Sequence, residues 1–575
     1  MYAPFDSLTD KKLGFSCSFA SSFFQLIIKN IQQDLTARGK LLSELDKTKN
    51  SSKLINRYQE LAEIPKELRR ELADIPEMKG ISHRDAFLFC WQHYDLRLPE
   101  FYCLSLENLA EQLNCTLDKV KNIVNYFSIA SESLHNEKIE HFFLNNPVWA
   151  RPILEMEESY YCFIPQIFFS FIFPISDTMV EKVDKHKLHK RRSDYLESKI
   201  KEIVARRFPS SKVHSSIEWN HECEQYETDL VAVIDSILVI IEAKSHNISS
   251  AALRGAPKSV KKHLEEIFVH PSQQSLRFET AIREEKEAIS RGKAASMNLP
   301  FDLNAVHEIF RISVSLEDFA TLQSDLRQFE ATGWLPEGFV SCPTMNLADF
   351  EIVFDLLEHP VDILHYIKRR IEIEKKYHIL GDELDYLGLY LSSFLFLDGF
   401  DSDPNLFMNI SGMSSSIDRY YLSRDEGVLI EKPRPEINKF FVDVLTRLES
   451  RAAPRWSEIG LILKSFHPKD MRTIQKKIGE LKKIINRNRN RKGIDDCNDL
   501  NSLIYNPPAG YNTALAIVLL KSEYYERRHE SYASAADSAM EDLTVKQCLV
   551  IGINIDLDDA PYHFIGLFCK DDLSK

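Results

Sequence analysis

The stretch from Tyr226 to Ser245, YETDLVAVIDSILVIIEAKS, constrains this chain more than any other. It holds two apolar, largely β-branched runs, Val231 to Ile234 and Ile237 to Ile241, separated by the polar pair Asp235-Ser236. Such runs around a short polar break predict a β-hairpin, and strands apolar on both faces belong in the middle of a covered sheet. Asp229, Glu242 and Lys244 sit in that hairpin. A charge in a buried strand is costly unless it is paired or bound to a metal, so these three carry the functional argument.

In a strand, Glu242 and Lys244 are two apart and point to one face, with Ala243 on the other. Asp229 on the neighbouring strand meets them across the ladder. Two carboxylates and the Ala243 carbonyl make an oxygen set suited to Mg²⁺, with Mn²⁺ as a substitute. An ion held there would neutralise a phosphate and acidify a bound water. Lys244 has three open roles: orienting that water, stabilising phosphoryl charge, or acting as a base after losing a proton.

The order from residue 193 reads helix, three strands, helix, strand, helix, strand, a mixed α/β segment ending near residue 345. With Asp229, twelve intervening residues and then Glu242-Ala243-Lys244, it resembles the PD-(D/E)XK nuclease superfamily, the restriction-endonuclease-like fold, over about residues 193–320. The resemblance implies an αβββαβ core and an Mg²⁺-dependent endonuclease, with DNA favoured over RNA. It also implies a glutamate on the preceding helix, where Glu197 in YLESKIKEI stands, and a glutamine on the following one. Gln273 and Gln274 are the candidates, Gln274 preferred for its spacing to Phe278. The metal set it implies is Asp229, Glu242, Ala243 and Glu197. Thr228 stands where many members carry proline, and Glu224 and Glu227 lie close enough to Asp229 to be rival acids.

After the hairpin, LRGAPKSVKKHL places Arg254, Lys258, Lys261 and Lys262 as candidate phosphate contacts, with Gly255 allowing close backbone approach. Two helical segments divided by Pro271 are expected next, and a strand and a helix over HEIFRISVSLEDFATLQSDLRQFE.

At roughly 100–200 residues per domain, 575 residues suggest several domains. Residues 1–80 read as helices. Residues 81–180 hold LSLENLAEQLNCTLDKVKNIVNYFS, two helices joined at Asn114-Cys115-Thr116, which resembles a helix-turn-helix; a plain helical hairpin is the alternative. RPILEMEESYYCFIPQ suggests strands, a wing or a β-extension, and CFIPQIFFSFIFPI suggests strands in a core, too short to span a bilayer. The nuclease-like segment covers 181–345, and 346–575 is an α+β region ending in two antiparallel strands. The net charge of -14 confines nucleic-acid binding to local basic patches. Two stand out: Glu181–Lys212, with eleven Lys or Arg against five acids and a helix that Ser193 would cap, and Met471–Lys492, with nine against one.

The ten cysteines form no C-x-x-C pair and no secretory leader is visible, so a cytoplasmic protein with reduced thiols is expected. No G-x-x-x-x-G-K-[ST] loop points to a motor. The function expected is a metal-dependent nuclease, with a defence or restriction-type effector as its expected setting; the alternatives are a non-catalytic DNA-binding regulator and a scaffold assembled with a protein partner or with copies of itself. No membrane contact is expected.

Overall fold

A computed structural model of the chain describes residues 1–66, 68–69, 80–135, 146–208, 212–222, 224–253, 255–323, 326–330, 332–397, 407–488, 501–508 and 510–570. It is mixed α/β, 56% helical, with several small sheets. Two compact units emerge: Met1–Arg192 with Asn247–Val260, and Ser193–His246 with Lys261–Lys575. No described helix is long and apolar enough to cross a membrane.

The first unit is built on α1 (Cys17–Asp46), capped by Ser16, whose side chain accepts from Phe19 N–H. Ala20, Phe23, Phe24, Ile27 and Ile31 recur at helical spacing and are buried together. The expected helical pair is present as α2 (Leu106–Gln112), capped by Ser105, and α3 (Leu117–Phe127), capped by Thr116. Asn114, with φ 48°, makes the left-handed turn between them. A small sheet follows: β1 (Ser128–Ala130), β2 (Ile153–Met156) and β3 (Ser159–Tyr161), the last two joined by Glu157 and Glu158, both left-handed. One expectation fails here. CFIPQIFFSFIFPI forms no strand; Ile167–Ser170 is a short helix, and Ile172 begins α4 (Ile172–Arg207). Aromatic and β-branched residues favour strands only where a sheet receives them, and here helix packing decides. Because α4 continues through residue 193, broken only by non-helical dihedrals at Asp184, Ser193 caps nothing. Its hydroxyl instead meets that of Ser245, 3.1 Å away.

The second unit contains a five-stranded sheet in sequential order: β4 (Lys212–His221), β5 (Glu224–Ile234), β6 (Ile237–Lys244), β7 (Glu308–Ser315) and β8 (Thr344–Asn346). β4, β5 and β6 pair antiparallel, while β6, β7 and β8 are parallel. The expected hairpin is β5–β6, with Leu230 opposite Ile241 and Ile234 opposite Ile237. Asp235 turns the chain at φ 53°, and its carboxylate accepts from the N–H groups of Arg455 and Ser457, capping α11 (Trp456–Lys464).

Between β6 and β7 run α5 (Pro257–Leu264) and α6 (His270–Ser290), joined by one π turn at Glu265–Val269. Pro271 does not divide the helices: it lies in the first turn of α6, where its missing N–H is not needed. Phe278, Ala281 and Ile282 of α6 cluster with Val231, Leu238 and Ile240, which fixes which face of the hairpin α6 covers. The helix expected after β7 is reduced to two 3₁₀ turns, Ala320–Gln323 and Leu326–Phe329. α7 (Leu347–Leu356) and α8 (Pro360–Lys376) follow, with Pro360 at the helix start, then α9 (Glu383–Ser393) and α10 (Lys439–Arg451).

A second sheet, β11 (Ser502–Tyr505), β12 (Thr513–Leu520), β13 (Gln547–Asn554) and β14 (Phe564–Cys569), lies further along, after the parallel pair β9 (His378–Gly381) and β10 (Phe407–Ile410). The two expected terminal strands are β13 and β14, antiparallel. β12, parallel to β13, was legible as the buried run TALAIVLL but is absent from the sequence-based order. α12 (Pro468–Asn488) precedes the sheet and α13 (Arg528–Met540) crosses between β12 and β13.

Candidate active site

The site begins where the β5–β6 ladder ends. The last paired residues are Leu230 and Ile241; one step beyond stand Asp229 and Glu242. The Ala243 N–H donates to Asp229 Oδ2 at 2.7 Å, which holds that carboxylate against β6. Lys244 Nζ lies 3.7 Å from Asp229 Oδ2 and 3.6 Å from Glu242 Oε2, so all three charges share one face. It is the face that α6 covers, and Gln274 of α6 accepts from Lys244 Nζ at 2.8 Å. Of the two candidate glutamines, Gln274 is therefore the one bonded to the lysine.

Burial is graded across the trio. The Glu242 side chain is 1% exposed, Lys244 13% and Asp229 24%. Glu242 Oε1 has no hydrogen-bond partner among the described residues. Burial, then the neighbouring Asp229 charge, pushes the Glu242 carboxyl up to about 8, against the opposing pull of Lys244. Glu197 is half-buried on α4, and its carboxyl is raised by burial first, then by the charges of Asp229, Asp194 and Glu227.

Among the described residues no three His, Cys, Asp or Glu side chains converge as a ready-made metal cage. The side-chain oxygens on offer are those of Asp229 and Glu242, with Glu197 coupled to Asp229 through charge and not gathered into a three-carboxylate set. An unpartnered, buried carboxylate oxygen beside a second carboxylate suits a hard divalent cation, which prefers oxygen ligands and offsets the cost of burying the charge.

The basic candidates are dispersed. Arg254 lies outside the described residues. Lys258 is exposed and belongs to the first unit. Lys261 and Lys262, in the second, face Glu265 and Glu266 one turn on, at 3.9 and 3.6 Å. In the first unit, Lys119 of the candidate recognition helix lies 3.5 Å from Asp10 and over the Phe19 ring, and the β2–β3 turn is acidic.

Sequence reasoning missed Ser313. It is fully buried, in register with Glu242 on the adjoining strand, and its hydroxyl has no partner among the described residues. A hydroxyl between Ile312 and Val314 in a strand-like segment was the available signal. Comparison with protein-family models, curated proteins and solved structures returns no match.

Proposed function

We propose that the second unit is a metal-dependent nuclease of the PD-(D/E)XK type, hydrolysing phosphodiester bonds of nucleic acid, with DNA favoured over RNA and Mg²⁺ or Mn²⁺ as cofactor. The observation that carries this reading is the buried, unpartnered Glu242 Oε1 beside Asp229 and Lys244. The order of one helix, three antiparallel strands, a helix and a parallel strand supports it.

Asp229 and Glu242 would hold the ion, Asp229 kept in place by the Ala243 N–H. When bound, the ion supplies charge neutralisation and an acidified water for attack on phosphorus. Gln274 restrains the Lys244 ammonium beside both carboxylates, where it can stabilise the negative charge that grows on the phosphoryl oxygens as the P–O bond breaks. Glu197 adds negative potential next to Asp229 and strengthens the preference for a cation. A defence or restriction-type effector role follows from this chemistry only as a biological setting for it.

The test is cleavage of labelled single- and double-stranded DNA and RNA with Mg²⁺ or Mn²⁺. Glu242→Ala and Lys244→Ala are expected to abolish cleavage and leave the circular dichroism spectrum unchanged. Tight binding with no cleavage in either metal would replace the nuclease reading with that of a DNA-binding regulator.

A further inference from the structure

Helix α12 has an apolar side that is spent and a basic side that is not. Met471, Ile474, Ile478 and Leu481 are buried, and the helix lies against the second sheet of its unit. On the opposite side Arg472, Lys476, Lys483 and Arg487 are exposed. At 3.6 residues per turn these four fall within an arc of about 60°, a single stripe about 22 Å long.

Arg472 pairs with Glu436 at 3.2 Å. Lys476, Lys483 and Arg487 have no ion pair among the described residues, in a chain whose net charge is -14. Gly479 stands in the middle of the same stripe. A glycine inside a helix weakens it relative to alanine. No neighbour demands this one, since a Cβ there would meet nothing within 4 Å. Beside it runs an open groove of about 380 Å³ lined by Asn438, Arg472, Gln475, Lys476, Lys483 and one acid, Glu480.

We propose that this stripe is a track for the phosphodiester backbone of a nucleic-acid strand, gripped by charge and without regard to base sequence. Within each pair the cations lie four residues, about 6 Å, apart along the axis, and the pairs are about 10 Å from one another, spacings that meet roughly every second and every third phosphate of a strand that rises 3.4 Å per nucleotide. The bare backbone at Gly479 lets the strand approach the helix between the two pairs of cations. The proposal rests on the reading of this unit as a phosphodiesterase and gives it a surface that holds substrate away from the reacting bond.

The experiment is fluorescence anisotropy on the full chain in EDTA, where no cleavage occurs, with labelled single-stranded DNA, the RNA of the same sequence, and duplex DNA. The triple variant Lys476→Gln/Lys483→Gln/Arg487→Gln is expected to bind at least tenfold more weakly at 0.1 M salt. The slope of log affinity against log salt should fall by about two. The charge-keeping variant Lys476→Arg/Lys483→Arg/Arg487→Lys should bind as the unaltered chain does, which also covers the case in which the glutamine variant misfolds. Unchanged affinity and slope in the triple variant would overturn the proposal. So would loss of binding to vesicles containing phosphatidylserine with nucleic-acid binding intact. If the stripe governs binding but no substrate is cut in Mg²⁺ or Mn²⁺, the nuclease reading falls and the track stands; if substrate is cut and the triple variant binds normally, the reverse holds.

Discussion

Ala243 N–H donates to Asp229 Oδ2, so one carboxylate is fastened to the strand that carries the other. Replacing Asp229 with alanine removes both an oxygen donor and this tie. Asp229→Asn keeps an acceptor for the N–H but loses the charge. Both variants are expected to lower cleavage by at least about 100-fold, with Asp229→Asn keeping the melting temperature closer to that of the unaltered chain. Parallel rate and melting measurements separate the two roles.

Gln274 and Lys244 form a positioning pair, 2.8 Å apart. Gln274→Ala would release the ammonium to settle against Asp229 and Glu242. The expected result is a fall of about tenfold in kcat with little change in KM, the pattern of a lost transition-state contact. Lys244→Met should be far more severe. Steady-state rates on one short duplex would show whether the ordering holds.

With its carboxyl pushed up to about 8, Glu242 holds a proton at neutral pH until a cation displaces it. Apparent Mg²⁺ affinity should therefore rise about tenfold per pH unit below 8 and level off above it, with one proton released per ion. The sign for stability is opposite. A carboxyl raised in the folded state stabilises fully only below its ordinary value of 4.5 and loses that stabilisation as pH climbs from there to about 8, so the metal-free protein should melt lower at pH 9 than at pH 6. Calorimetric titration in two buffers of different ionisation enthalpy counts the protons, and Glu242→Gln should abolish the dependence.

Away from the site, Arg370 and Glu383 are both buried and joined by a two-pronged contact, with Nε to Oε1 at 3.1 Å and Nη2 to Oε2 at 2.9 Å. Arg370→Met would strand a buried carboxylate and should cost about 3–5 kcal/mol. The double variant Arg370→Met/Glu383→Leu should recover most of that. Urea unfolding of the three proteins decides it.

The hairpin was legible because β-branched runs two residues apart leave few other foldings, and the charges within it were conspicuous against that background. The convergence of Asp229, Lys244 and Gln274 follows from strand alternation plus one helix laid across the sheet. Other features depended on distant partners. The aromatic run at 162–175 has strand propensity, yet no sheet receives it. Ser193 looks like a cap by type, but only the continuous α4 decides that it is not one. Lys258 reads as a neighbour of Lys244 in the sequence, whereas compactness assigns it to the first unit. Lys261 and Lys262 look like free cations until Glu265 and Glu266 come round one turn later.

The chain leaves the second unit after His246, contributes Asn247–Val260 to the first, and returns at Lys261. During synthesis the first unit therefore cannot be finished when Arg192 emerges. It must wait until Val260 has been made, several seconds at about 5–20 residues per second. By then the strands carrying Asp229, Glu242 and Lys244 are already out, while α6 with Gln274 is not. Maturation of the two units is thus interleaved in time, and no single cut in the gene separates one from the other.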